Sequence, residues 1–261
     1  MLASLGNFYA YIFGWPVLAK LHIKLLYLCA RALGMLNYTS NSISGETKAM
    51  RLGVAGKPVP VVFDVGANEG QWIKEMLAIC PAAQIHAFEP QKKLAAQIAC
   101  NFPNVKVNNV ALGEISGTLE LFDYVNHPGS QHASLLDGVI DGMHSGDSKS
   151  QMVSIDTLDN YCKQNQIKCI DFLKIDVEGF ELKVLLGAQK LLRNRQVDVI
   201  QFEFTHINLV SKTFMRDFFS CLTGSHNLYR LLPHGLLPLR ESDHWLNEQF
   251  VYQNIIALKR R

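Results

Sequence analysis

Residues 61–70 read VVFDVGANEG. A short apolar run ends on Asp64, and glycines follow at Gly66 and Gly70. The run has the length and β-branched composition of a buried strand. Gly66 lets the chain turn tightly after it, and Gly70 lets a following helix approach closely. A dinucleotide fingerprint would place glycine where Asn68 stands and a third glycine further on. A pyrophosphate also wants a helix N-terminus clear of negative charge. Here Asp64 and Glu69 flank the turn. An acidic turn suits a ligand with a positive end.

Outward from this stretch, strand and helix signals alternate. Strands are expected at QIHAFEP (84–90), VKVNNVAL (105–112), DFLKIDV (171–177), VDVIQFEF (197–204) and FVYQNIIALK (250–259). Helices are expected over 70–79, 91–101 and about 180–192. This alternation indicates an α/β fold with a mostly parallel sheet and helices on both faces. GTLELFDYV (117–125) and QMVSIDTLDNYC (151–162) read as extra strands around a polar segment, 126–150. They define an insertion around 117–155. Residues 37–58 read as a linker with a short helical approach. The chain therefore divides into an N-terminal helical extension and linker, 1–57, and a main domain, 58–261.

In an open parallel sheet, ligands bind beyond the carboxyl ends of the strands. Those ends carry Asp64, Glu89, Ala111 with Leu112, Asp176 with Glu178, and Glu203. Glu89 lies 25 residues after Asp64, where a carboxylate accepts from the vicinal hydroxyls of a ribose. A nucleoside with a cationic, amino-acid-like end meets both demands, and S-adenosylmethionine is such a molecule. Asp176 and Glu178 are two residues apart and are expected to share a face. Such a pair serves as a general base or as ligands for a divalent cation, and both readings stand. Glu203 and His206, in FEFTH, are the third and fourth groups for either scheme. Lys174 falls on the face of Asp176 and is read as its ion-pair partner. Trp72 and Phe88 are read as core.

VVFDVGANEGQW, HAFEPQ, NNVALGEISGTLELF, SIDTLDNYC and DFLKIDVEGFELKVLLGAQKLL, in this order, resemble the FkbM family of S-adenosylmethionine-dependent methyltransferases. The resemblance covers about residues 58–205, with NIIALK fitting the terminal strand. It implies a class I methyltransferase fold: seven strands, the last antiparallel. It implies O-methylation, with a hydroxyl of a sugar, glycan or small hydroxylated metabolite as acceptor. Asp64, Gly66, Asn68 and Gly70 match the motif at the cofactor's amino-acid end, and Glu89 matches the ribose-binding acid. Asn109, Ala111 and Leu112 match the segment beside the adenine. Asp176, Glu178 and Gly179 match the motif where acceptor meets cofactor. His132, Ala133 and Ser134 stand where the family often carries a small-residue segment.

The remaining sequence narrows the alternatives. A formal net charge of +2 and the lack of an N-P-P-Y-type motif argue against nucleic acid. The six cysteines include no C-x-x-C pair and are expected reduced, in a cytoplasmic protein. Residues 17–36 are expected to be helical and are apolar apart from a stripe of Lys20, Lys24, Tyr27 and Arg31. Two readings stand: a lid packed on the core, or a peripheral helix in a membrane interface. An NAD-type oxidoreductase and a binding module without turnover are the competing functions; Asn68 counts against the first, the acidic strand ends against the second.

Overall fold

The computed structural model describes residues 2–124, 134–136 and 148–260. Its core is one eight-stranded sheet. The strands are β1 (Val61–Val65), β2 (Gln84–Phe88), β3 (Lys106–Asn108), β7 (Ile170–Ile175), β8 (Val197–Phe204), β9 (His226–Leu232), β10 (Gly235–Pro238) and β11 (Gln253–Lys259). Their order is β10-β9-β11-β8-β7-β1-β2-β3. The pairings from β3 to β8 are parallel, and β11 runs antiparallel between β8 and β9. This is the expected sheet, with β10 added by a hairpin at the edge. A second sheet, β4-β6-β5, is built from β4 (Ala111–Leu112), β5 (Gly117–Tyr124) and β6 (Ser148–Asp156).

Side chains alternate across β1 as a strand requires. Phe63 and Val65 enter one apolar cluster with Tyr161, Val184 and Phe218. Val62 enters the opposite one with Met50, Trp72, Ile73 and Met76. Both faces of the central strand are thus sealed, and its open carboxyl end is where polar chemistry is left exposed.

Helices α1 (Leu2–Phe13) and α2 (Ala19–Ala32) precede the short α3 (Asn41–Ser44) and α4 (Glu46–Val54). The stretch read as a linker with a short helical approach is helical over 41–44 and 46–54, and Ala49 and Met50 of α4 are fully buried against the sheet. The lid reading of residues 17–36 is corrected: α2 buries no residue, and most of its side chains face solvent. Among the described residues no single helix is long and apolar enough to cross a membrane; α1 and α2 meet at a 98° bend.

Helices α5 (Gln71–Ile79) and α6 (Lys92–Asn101) fall where expected. Other boundaries differ for physical reasons. The run 105–112 splits, β3 staying in the main sheet and β4 joining β6. The second half of 151–162 is α7 (Leu158–Gln164), started by Thr157, whose hydroxyl accepts from Asn160 N at 3.1 Å. The helix expected over 180–192 breaks into α8 (Glu181–Leu186) and α9 (Gln189–Arg193). Gly187 sits at the break, where a Cβ would lie 1.9 Å from the carbonyl oxygen of Gly113.

Candidate active site

Turn 66–70 leaves β1 at its carboxyl end. Gly66 has φ +85°, and its N–H donates to Phe88 O at 3.0 Å. A Cβ there would stand 1.8 Å from the carbonyl oxygen of Asp176, so only glycine lets the β1 and β7 loops touch. Asn68, at φ +47°, donates its backbone N–H to Glu89 Oε2 at 2.9 Å. The other oxygen, Oε1, accepts from Gln91 N at 2.8 Å. Glu89 is only 4% exposed. Burial pushes its carboxyl up to about 7 in spite of these two donors.

Asp64 lies beneath this turn, wholly buried. Lys174 Nζ stands 3.3 Å from Asp64 Oδ1 and 3.1 Å from Asp176 Oδ2. Burial works against the ammonium's charge, but the carboxylates of Asp176, Asp64 and Glu46 outweigh it and hold Lys174 above its ordinary value. Lys174 is thus the ion-pair partner expected for Asp176, and it reaches Asp64 as well.

Residues 176–179 form a turn rather than a strand end, with Glu178 at φ +50° and Gly179 at φ +94°. The shared strand face expected for Asp176 and Glu178 is therefore corrected: β7 ends at Ile175, and the turn brings both to the same cleft. Glu181 holds this turn from below, its Oε1 accepting from Val177 N at 3.2 Å and Gly179 N at 3.0 Å. Ser134 holds it from the side, its hydroxyl donating to Glu178 O at 2.8 Å. His132 and Ala133 lie outside the described residues.

Glu203 ends β8 on the far wall. Burial raises its carboxyl well above the ordinary value, and the negative charges of Asp176, Glu178 and Glu46 raise it further. His206, exposed, follows at the mouth. Glu46, at the start of α4, completes this wall and was not foreseen. It accepts from Gln201 Nε2 at 3.0 Å and from the Ser44 hydroxyl at 3.2 Å. Burial raises it too. Tyr252, just before β11, is raised by burial and by Glu203, Glu46 and Asp176. No local pattern marks Glu46; the only signal was a Gly-Glu helix start shortly before the first core strand.

Together these groups line one cleft of about 910 Å³. Gly66, Asn68, Glu89, Ala111, Leu112, Asp176, Glu178, Glu203 and His206 all reach it. Asp64, Gly70 and Asn109 do not line it. Gly70, at φ +80°, leaves room for Phe102, which a Cβ would meet at 2.8 Å. Asn109 braces the neighbouring turn, its amide donating to Glu89 O at 2.9 Å and Pro90 O at 2.8 Å. Trp72, read as core, stacks on Phe172 and also borders the cleft, with a buried Nε1 that has no acceptor among the described residues. Among the described residues, the Asp176–Glu178 pair has no third ligand grouped with it for a cation. Among the described residues the grouping close enough to hold an ion is Cys169, Asp171 and Asp198, at the opposite end of the sheet, where Lys57 and Lys259 already pair with Asp198.

The model of the methyltransferase FkbM domain matches residues 64–231, from the buried aspartate of β1 to the penultimate residue of β9. The chain belongs to this family. Curated relatives of this FkbM-domain protein agree. The 2-O-methyltransferase NoeI of Sinorhizobium fredii is 29% identical over 147 residues, covering 52% of this chain and 60% of NoeI. Methyltransferase sdnD of Sordaria araneosa is 30% identical, covering 53% of this chain and 66% of sdnD. The 31-O-demethyl-FK506 methyltransferase FkbM of Streptomyces tacrolimicus is 27% identical, covering 54% of this chain and 64% of that protein. The chain thus spans less than two thirds of each relative's length. The plantazolicin methyltransferase BpumL has a TM-score of 0.45 at 13% identity, covering 93% of this chain and 99% of BpumL. That likeness is too loose to add to the fold described above.

Proposed function

We propose that the protein is an S-adenosylmethionine-dependent O-methyltransferase whose acceptor is a hydroxyl of a glycan or small hydroxylated metabolite. The observation that carries this is the meeting of Glu89, Asp176 and Glu203, from three strand ends, around one cleft. The cleft suits the cofactor on its own chemistry. Glu89 keeps lone pairs for a vicinal diol beyond its two backbone donors. Ala111, Leu112 and Leu135 give an apolar wall for a purine ring. Trp72 Nε1 is a buried donor for a carboxylate, and Asp176 offers negative charge near a cation.

When bound, the cofactor supplies a methyl group on a sulfonium, open to displacement by an oxygen. The chain's own residues do the rest. Glu203, its carboxyl raised by burial and by the neighbouring carboxylates, takes the hydroxyl proton of the acceptor. Glu46, Glu178 and His206 bracket the acceptor and orient its oxygen. Lys174 holds Asp176 in place from beneath. A buried ammonium at that point supplies the local positive charge, so the reading calls for no divalent cation. The same reading assigns no role to nucleic acid.

Calorimetry with S-adenosylhomocysteine tests the cofactor. Binding to the wild type, weakened at least about tenfold in Glu89→Ala, is expected, since about 1.4 kcal/mol is a factor of ten and a charge-assisted pair contributes more. Binding of NAD in its place would overturn the reading.

A further inference from the structure

Helix α1 carries no charged residue, and its large side chains form a broad face open to solvent: Leu5, Phe8, Tyr11, Ile12 and Phe13 are all exposed, Tyr11 at 90%. A broad apolar face belongs against protein or lipid. The described residues leave it exposed. Helix α2 continues the surface through Leu21, Ile23, Leu25 and Leu28, all exposed. The arms have 12 and 14 residues, about 18 and 21 Å at 1.5 Å per residue, too short for a hydrocarbon core of about 30 Å. Their 98° bend also rules out a straight span. They suit the interface plane.

Charge chooses the surface. Residues 1–45 contain no Asp or Glu, while Lys20, Lys24 and Arg31 stand on α2. That is a match for anionic headgroups. The arms also lead straight into the cleft. Met35 bridges Gln253 of β11, Leu36 N donates to Tyr252 O at 2.7 Å, and Leu36 and Tyr38 line the cleft wall. Trp245, 77% exposed, precedes Leu246, whose carbonyl accepts from Arg230, and the Arg230 stem lies against Gly34 just after α2. Exposed tryptophan favours headgroup depth.

We propose that α1 and α2 seat on a bilayer leaflet carrying anionic lipid, lying in it rather than across it, and hold the Leu36–Tyr38 wall of the cleft at headgroup height. This deepens the functional reading and rests on it for the meaning of that wall. The acceptor hydroxyl is then met at the lipid surface.

The full chain is tested with vesicles of phosphatidylcholine, with and without phosphatidylglycerol. Sedimentation with the anionic vesicles is expected, reduced about tenfold or more in Lys20→Glu/Lys24→Glu, each basic residue contributing about 1 kcal/mol near such a surface. Brominated phosphatidylcholine should quench Trp15 in Trp245→Phe and Trp245 in Trp15→Phe, each above the unquenched background of buried Trp72, which Trp15→Phe/Trp245→Phe reads alone. No sedimentation with either vesicle overturns the proposal. Quenching of Trp15 without Trp245 overturns the placement of the cleft. A concentration-dependent dimer lost in Phe8→Ser/Leu25→Ser would assign the apolar face to a second copy and overturn it also. Calorimetry with S-adenosylhomocysteine on the same samples separates the two readings: vesicle binding without cofactor binding leaves the docking and removes the methyltransferase, and retained cofactor binding in the lysine variant shows that it folds.

Discussion

Glu89 accepts two backbone N–H groups and is asked to accept a ribose diol as well. With its carboxyl near 7 in the free protein, it is mostly protonated at pH 6 and mostly charged at pH 8. A diol donates to the charged form. Affinity for S-adenosylhomocysteine is therefore expected to fall up to about tenfold per pH unit below 7 and to level off above it. Glu89→Gln should bind more weakly and lose this slope; calorimetry between pH 5.5 and 8.5 reads both. A slope surviving in Glu89→Gln would assign it to another group. At this scale the sequence was legible where a residue's position at a strand end also decides its place in the cleft, as for Glu89, Asp176 and Glu203. It was less legible where contacts come from far along the chain. Asp64 looks like a ligand group in the sequence, yet it lies under the floor paired with Lys174, and Asn109 spends its amide on the neighbouring turn. Glu46 reaches the cleft from 157 residues before Glu203, and no local spacing announces that.

The turn after β7 depends on one buried acid. Glu181 is 2% exposed and its carboxyl is pushed up to about 8 by burial, although three backbone N–H groups favour the charged form. The unfolded chain releases that proton near the ordinary value of 4.5. Its stabilising contribution is therefore complete below about pH 4.5 and is lost as pH rises through about 8, at up to about 1.4 kcal/mol per pH unit. Glu181→Gln keeps an acceptor for Val177 and Gly179 and removes the titration. Urea midpoints at pH 5, 6.5 and 8 should then depend less on pH than in the wild type. Elements made of continuous apolar runs, such as β1, β7 and β8, were plain in the sequence. β9 was not, because HNLYRLL buries a histidine at its start, His226, and an arginine in its middle, Arg230. Arg230 is admitted by bonds to Gln253 Oε1 at 2.7 Å and Leu246 O at 2.9 Å, partners that only the tertiary fold supplies.

On the scale of the whole molecule, the order of motifs carried the fold, since β1, β2, β7 and β8 lie side by side in the sheet where that order puts them. What it did not carry was the part played by residues before 58. Met50 is fully buried between α4 and the sheet. Met50→Ala should lower global stability by about 3 kcal/mol, within the 2–5 kcal/mol typical of such truncations, read as one cooperative urea transition. A change under about 0.5 kcal/mol would show α4 to be an appendage. The contact between Gly66 and the carbonyl of Asp176 has a consequence of its own. No side chain fits between the two loops, so each blocks the other from moving inward. Whatever settles the first loop presets the second, like a key turned before a door is pushed. The expected steady-state pattern is a compulsory order: methyl donor on first, acceptor second, and the spent donor leaving last.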